Sequence, residues 1–171
     1  NYPAGTPHHY LGEVVPVREL ITTESAEQIA QHGHAHDFNA HFWPDVRYAT
    51  MYVDRIAEIL AEHDPNGAAG YEQRAAEYTA QLEAMDEAFQ TAIATIPDEN
   101  RQLVVYHDSW SYYGRRYSLP VVGAIQPTDF SEPSAAELRD TIEQVRAAGV
   151  PAFFGSEVFP SDVLEAIEAE T

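Results

Sequence analysis

Apolar residues recur every three or four positions between 46 and 60, as Val46, Tyr48, Ala49, Met51, Tyr52, Val53, Ile56, Ile59 and Leu60. That spacing lines one face of an α-helix. Pro44 or Asp45 stands where the first turn would begin, and His63-Asp64-Pro65-Asn66-Gly67 ends the pattern. Pro65 lacks the N–H that a continuing helix needs, and Gly67 is a favoured stop. The reading is a helix of about four turns. Residues 68–96 hold no proline and are rich in Ala, Glu and Gln, with Tyr71, Tyr78, Leu82, Met85, Phe89 and Ile93 on one repeating face. A single helix of about 25 residues, near 40 Å long, is predicted. Such a helix outruns a small domain and suits a bridge between two lobes.

Beyond it the pattern alternates. Strands are predicted at 103–106, 119–125 and 150–154, and helices at 109–117, 134–148 and 161–170. Pro133-Ser134 opens the second of these helices and Gly149 closes it. Strand and helix in strict succession point to an α/β unit with a parallel sheet covered by helices. Upstream of residue 46 the pattern is weaker: a Pro/His-rich opening, a β-like run at 14–17, and a polar loop at 31–37.

Composition narrows what such a chain can do. Against 28 acidic residues stand 9 basic ones, all Arg, for a formal charge of -19 over 171 residues. That balance repels phosphate and excludes nucleic acid as a partner, while it concentrates cations near the surface. There are no cysteines, so disulfides, thiolate metal sites and cysteine nucleophiles are excluded together. No stretch is apolar enough to span a bilayer, and the first residues lack the charged-then-apolar pattern of a signal peptide. The chain reads as a mature product or a fragment of one, and as a monomer.

Histidine carries the candidate chemistry. His8 lies in Pro7-His8-His9-Tyr10, His41 in Asn39-Ala40-His41-Phe42-Trp43, and His107 closes the apolar run Leu103-Val104-Val105-Tyr106. Three neutral imidazoles from separate parts of a fold suit zinc, copper or nickel better than manganese, which favours oxygen donors; zinc is the preferred metal and manganese the alternative. His107 follows a parallel strand, where ligands of such sheets collect. Each ligand also needs its second ring nitrogen oriented by a carbonyl or carboxylate, and Asp45 and Asp108 are near in sequence. His32, His34 and His36 form a separate auxiliary cluster in the polar loop.

In order along the chain, Gly5-Thr6-Pro7-His8-His9-Tyr10, Asn39-Ala40-His41-Phe42-Trp43, Val104-Val105-Tyr106-His107-Asp108-Ser109-Trp110, Glu132-Pro133-Ser134-Ala135 and Phe153-Phe154-Gly155-Ser156-Glu157 form five motifs. With them the sequence resembles the extracytoplasmic solute-binding proteins of zinc- and manganese-type ABC transporters. The resemblance implies two small α/β lobes joined by one long helix, with His8, His41 and His107 as three of four metal ligands between the lobes. It implies residues 1–67 as a partial N-terminal lobe bearing two of these histidines, 68–96 as the linking helix and 97–171 as a truncated C-terminal lobe.

The 33 positions from His8 to His41 are about half the family's usual separation, so the N-terminal lobe is expected to be incomplete. The family's fourth ligand, an Asp, would lie beyond Thr171, which leaves water or Glu157 to complete the coordination. Asn39-Ala40 replaces the family's usual Asp-Pro. The implied function is capture of Zn2+ in the periplasm or outside the cell, by a protein lipid-anchored in its full length, and delivery to an ABC permease. Two alternatives use the same histidines. One is a zinc-dependent hydrolase with Asp108 or Glu157 as base, although no His-Glu-x-x-His pattern is present; the other is a metal-binding adhesin or metallochaperone. The expectation is a binding protein and no enzyme.

Overall fold

The computed structural model describes residues 5–17, 39–126, 134–150 and 153–154, with isolated helical positions at 165 and 169. Within them, α1 spans Val46–His63 and α2 spans Ala68–Ala94. Asp45 caps α1, its buried carboxylate accepting from the backbone N–H of Arg47 at 3.0 Å. This satisfies one of the first-turn donors that a helix leaves unpaired. Pro65–Gly67 forms a 3₁₀ turn that reverses the chain, so α1 and α2 pack as a helical hairpin.

At 27 residues, α2 is the long helix the sequence predicted, about 40 Å at 1.5 Å per residue. Its predicted apolar face is only partly used. Leu82 and Ile93 are buried, whereas Tyr78 is 52% and Met85 40% exposed. The helix packs against α1 and meets the second half of the chain through its C-terminal turns.

The second half is built on β1 (Leu103–His107), α3 (Ser111–Tyr117), β2 (Val121–Gln126), α4 (Ala135–Ala148) and β3 (Phe153–Phe154). The strands run parallel in the order β2-β1-β3. Leu103, Val104, Val105 and Tyr106 are all buried, as a central strand covered on both faces requires. The glycine that ends α4, Gly149, adopts φ +61° and donates to the carbonyls of Val145 and Arg146, the left-handed stop its sequence position suggested. The helix predicted over 161–170 falls almost wholly outside the described residues.

One sequence expectation fails. Within the β-like run at 14–17, Val14 ends a 3₁₀ turn, Leu11–Val14, and Val15 is extended and serves as a core plug. Val15 is fully buried against Phe42, Tyr48 and Tyr112. β-branched residues fit such a plug as well as a strand, because both reward a stiff apolar side chain. The cluster joins the two halves, since Tyr112 comes from α3 while the other three come from the first 48 residues.

Three further hydrogen bonds fix α3 in place. Asp86 of α2 accepts from Arg116 Nε at 3.2 Å, from Arg116 Nη2 at 2.6 Å and from the Tyr117 hydroxyl at 2.7 Å. Burial raises the pKa of Asp86, but these donors outweigh it and hold the carboxyl below its ordinary value. Tyr117 is correspondingly pushed far up, by burial first and then by the Asp86 bond.

Candidate functional site

His41 sits in the loop that enters α1, and the packing of its neighbour aims it. Phe42 is 1% exposed, with its ring 4.9 Å from Tyr112 and 6.0 Å from Tyr48. Burying Phe42 turns the adjacent side chains outward, leaving His41 half-buried and Trp43 exposed with the two rings 5.2 Å apart. His107 arrives from the other half, at the carboxyl end of β1. Immediately after it the chain tightens: the Ser109 N–H donates to the His107 carbonyl at 2.7 Å, and the Ser111 hydroxyl to the buried Asp108 carboxylate.

These two segments place the imidazoles of His41 and His107 side by side, 5.0 Å between centroids and 80° between planes. Burial lowers the pKa of His41, the neighbouring His107 lowers it further, and Asp108 opposes both. The ring is therefore held neutral, which is the form that offers a lone pair to a cation. His107 also lines an apolar cavity of about 610 Å³ formed with Phe89, Val105, Trp110, Tyr113 and Phe154.

The orienting partner of His41 is neither Asp45 nor Asp108. Asn39 Oδ1 lies 2.7 Å from His41 Nδ1 and accepts the His41 backbone N–H at 3.0 Å, while Asn39 Nδ2 donates to the Asp108 carbonyl at 2.9 Å. The Tyr112 hydroxyl donates to the Asn39 carbonyl at 3.0 Å. Asp45 is committed elsewhere, to the cap of α1 and to the Arg47 guanidinium. Asp108 acts on His41 through its charge, and on Asn39 through its carbonyl. Sequence reading named only the two neighbouring aspartates and missed Asn39; the signal available was an amide two residues before a histidine, the spacing of a local side-chain turn.

His8 is exposed and does not form a metal-holding group with this pair among the described residues; its neighbour His9 lies 5.8 Å, ring to ring, from His63 at the end of α1. Among the described residues, no three His, Asp or Glu side chains are grouped closely enough to hold a metal ion. His32, His34, His36 and Glu157 lie outside the described residues.

Two imidazoles from segments 66 positions apart, one at the carboxyl end of a parallel strand and one in a loop ahead of a helical hairpin, form the kind of site in which two parts of a chain hold a ligand between them. The chain belongs to the family described as zinc-uptake complex component A, periplasmic (ZnuA), whose model matches residues 7–171. That is a family of solute-binding components and not an enzyme class. The manganese-binding lipoprotein MntA of Halalkalibacterium halodurans is 30% identical over 142 residues, 83% of this chain and 44% of that protein. The high-affinity zinc uptake system protein ZnuA of Paracoccus denitrificans is 33% identical over 114 residues, 67% of this chain and 34% of that one. Among solved structures, the periplasmic zinc-binding protein TroA from Treponema pallidum superposes with a TM-score of 0.77 at 26% identity, covering 94% of this chain and 54% of its own. The chain thus spans about half the length of these relatives or less. They lend no support to the hydrolase, adhesin or metallochaperone readings.

Proposed function

We propose that this protein binds a divalent transition metal outside the cytoplasmic membrane, zinc by preference and manganese as the alternative, and delivers it to an ABC permease. The observation that carries the reading is the apposition of His41 and His107, 5.0 Å ring to ring, from two segments that meet through Asn39 and Asp108. Relatives named for zinc and for manganese support the choice of cargo. Imidazole nitrogen favours zinc over manganese, and the net charge of -19 raises the local cation concentration.

In this reading residues 1–67 and 97–171 act as two metal-gripping parts linked by 68–96. His41 and His107 supply two donors, and His8, in the segment anchored at its far end by Val15, swings in as the third. Glu157 stands as a candidate fourth donor, and His32, His34 and His36 as an auxiliary cation-collecting loop. The protein works as a monomer, has no nucleic-acid partner and catalyses no reaction.

Calorimetric titration of the metal-stripped protein with Zn2+ and with Mn2+ tests the reading. Removing an orienting neighbour of a metal ligand costs about 10–100-fold in affinity, so removing a ligand should cost at least as much. His41→Ala and His107→Ala are each expected to weaken zinc binding by about a hundredfold, and His8→Ala by about tenfold or more. Wild-type zinc affinity in both His41→Ala and His107→Ala would refute the assignment.

A further inference from the structure

The side-chain amide of Asn39 has two ends, and the partners of each can be read separately. One end faces the His41 backbone N–H, which can only donate, so the atom accepting from it at 3.0 Å is the amide oxygen. The other end faces the Asp108 carbonyl, which can only accept, so the atom 2.9 Å from it is the amide nitrogen. Both assignments agree, and no flipped amide satisfies either contact.

The same oxygen lies 2.7 Å from His41 Nδ1. An amide oxygen cannot donate, so a hydrogen bond there requires the proton on Nδ1, and the lone pair of the neutral ring is then on Nε2. A histidine with no neighbours prefers the opposite tautomer, with the proton on Nε2. The Asp108 carbonyl holds the amide in the orientation that enforces the less common form, and it comes from the segment that carries His107. Were the amide free to flip, its N–H would face Nδ1 and reverse the tautomer.

We propose that Asn39 is a positioning residue that fixes His41 in the Nδ1–H tautomer, with the amide orientation set by its bond to the Asp108 carbonyl. The donor atom His41 offers a cation is then Nε2, and it is chosen before any cation arrives. An Asp at this position would accept with either oxygen and would need no such orientation. In this chain the neutral amide couples the tautomer of one histidine to the backbone beside the other.

The consequence for cation affinity rests on the function proposed above; the tautomer itself does not. The test is nitrogen-15 NMR of histidine-labelled, metal-free protein at pH 8, with the His41 signals assigned by their loss in His41→Gln. Wild type is expected to show Nδ1 protonated and Nε2 bare. Asn39→Ala is expected to shift His41 to the Nε2–H form, whereas Asn39→Asp retains Nδ1–H because a carboxylate still accepts there. Zinc titration of the same samples is expected to show about 10–100-fold weaker binding in Asn39→Ala and no such loss in Asn39→Asp.

An Nε2–H tautomer in wild type, or an unchanged Nδ1–H signal in Asn39→Ala, overturns the proposal. The Asp variant keeps the test independent of any folding defect in the Ala variant. Should the tautomers behave as stated while zinc fails to bind even the wild type, the positioning role stands and the metal-capture reading falls.

Discussion

Tyr112 packs between the two halves of the chain, and shortening it in two stages separates its contributions. It is 1% exposed, its ring lies 4.9 Å from Phe42 and 5.8 Å from Tyr48, and its hydroxyl donates to the Asn39 carbonyl at 3.0 Å. Tyr112→Phe keeps the ring and removes one hydrogen bond, a net loss of about 1 kcal/mol. Tyr112→Ala removes the ring as well, and emptying a buried aromatic site costs about 3–5 kcal/mol, with the ring–ring contacts included in that figure. For an unfolding slope of about 2 kcal/mol per molar urea, the midpoint falls by about 0.5 M in the Phe variant and about 1.5–2.5 M in the Ala variant. Urea titration followed by far-ultraviolet circular dichroism and by the fluorescence of Trp43 and Trp110 gives both numbers, and coincident curves license the two-state treatment. A shift below about 0.5 M for Tyr112→Ala, or equal shifts for the two variants, would show that the ring is not a plug between the halves.

Other changes probe separate features. Gly114→Ala should destabilise by about 1–3 kcal/mol, since a Cβ there would meet the Leu119 backbone carbonyl at 2.5 Å. Gly70→Ala, where a Cβ meets only the movable tip of Arg74, should stabilise α2 by about 0.5–1 kcal/mol, and thermal melts of the pair give the contrast. Asp86→Ala strips Arg116 and Tyr117 of their shared acceptor and should cost about 1–3 kcal/mol; an unchanged melting temperature would count against the α2–α3 lock. Because Asp86 is held below its ordinary pKa, its contribution is present above about pH 4 and lost as pH falls through the folded value. For His41, whose pKa burial and then His107 lower, the unfolded chain takes up a proton first as pH drops below about 6.5. Metal-free protein should therefore lose stability from there down to the folded pKa, and His41→Gln should flatten that part of the pH profile.

The regular parts of the fold were legible because local physics decides them. The helical repeat from Val46 to Leu60, the stop at Pro65 and Gly67, and the strand ending at His107 each follow from short-range patterns. The run at 14–17 was not legible, since Val15 is buried by Tyr112, a residue almost a hundred positions away, and a β-branched plug reads like a strand. Which positions of the α2 stripe are used, Leu82 buried and Met85 exposed, was not legible for a related reason: a 3.6-residue apolar stripe shows which face is available for burial, and what packs on it is decided elsewhere in the chain. At the site, His41 and His107 were named from their flanking residues and are adjacent, whereas the role of Asn39 depends on a carbonyl 69 positions away that no local pattern reveals.

The contacts that close the core are also those that set the histidine pair. Tyr112 fills the space between Phe42 and Tyr48 and fastens the Asn39 carbonyl; Asn39 in turn bonds His41 and the Asp108 backbone, one residue from His107. Loosening any member of this chain therefore changes the packing of the two halves and the separation of the imidazoles together. The coupling also runs in reverse. A cation held by both rings would tie residue 41 to residue 107, and at a free concentration one hundred times its dissociation constant it would stabilise the fold by about 2.7 kcal/mol. That increment depends on the bridge and not on the packing alone. Zinc should thus raise the melting temperature of wild type, and of Tyr112→Phe by a similar amount, yet leave His41→Ala and His107→Ala nearly unmoved. Equal zinc-induced shifts in all four would place the bound ion somewhere other than between the two rings.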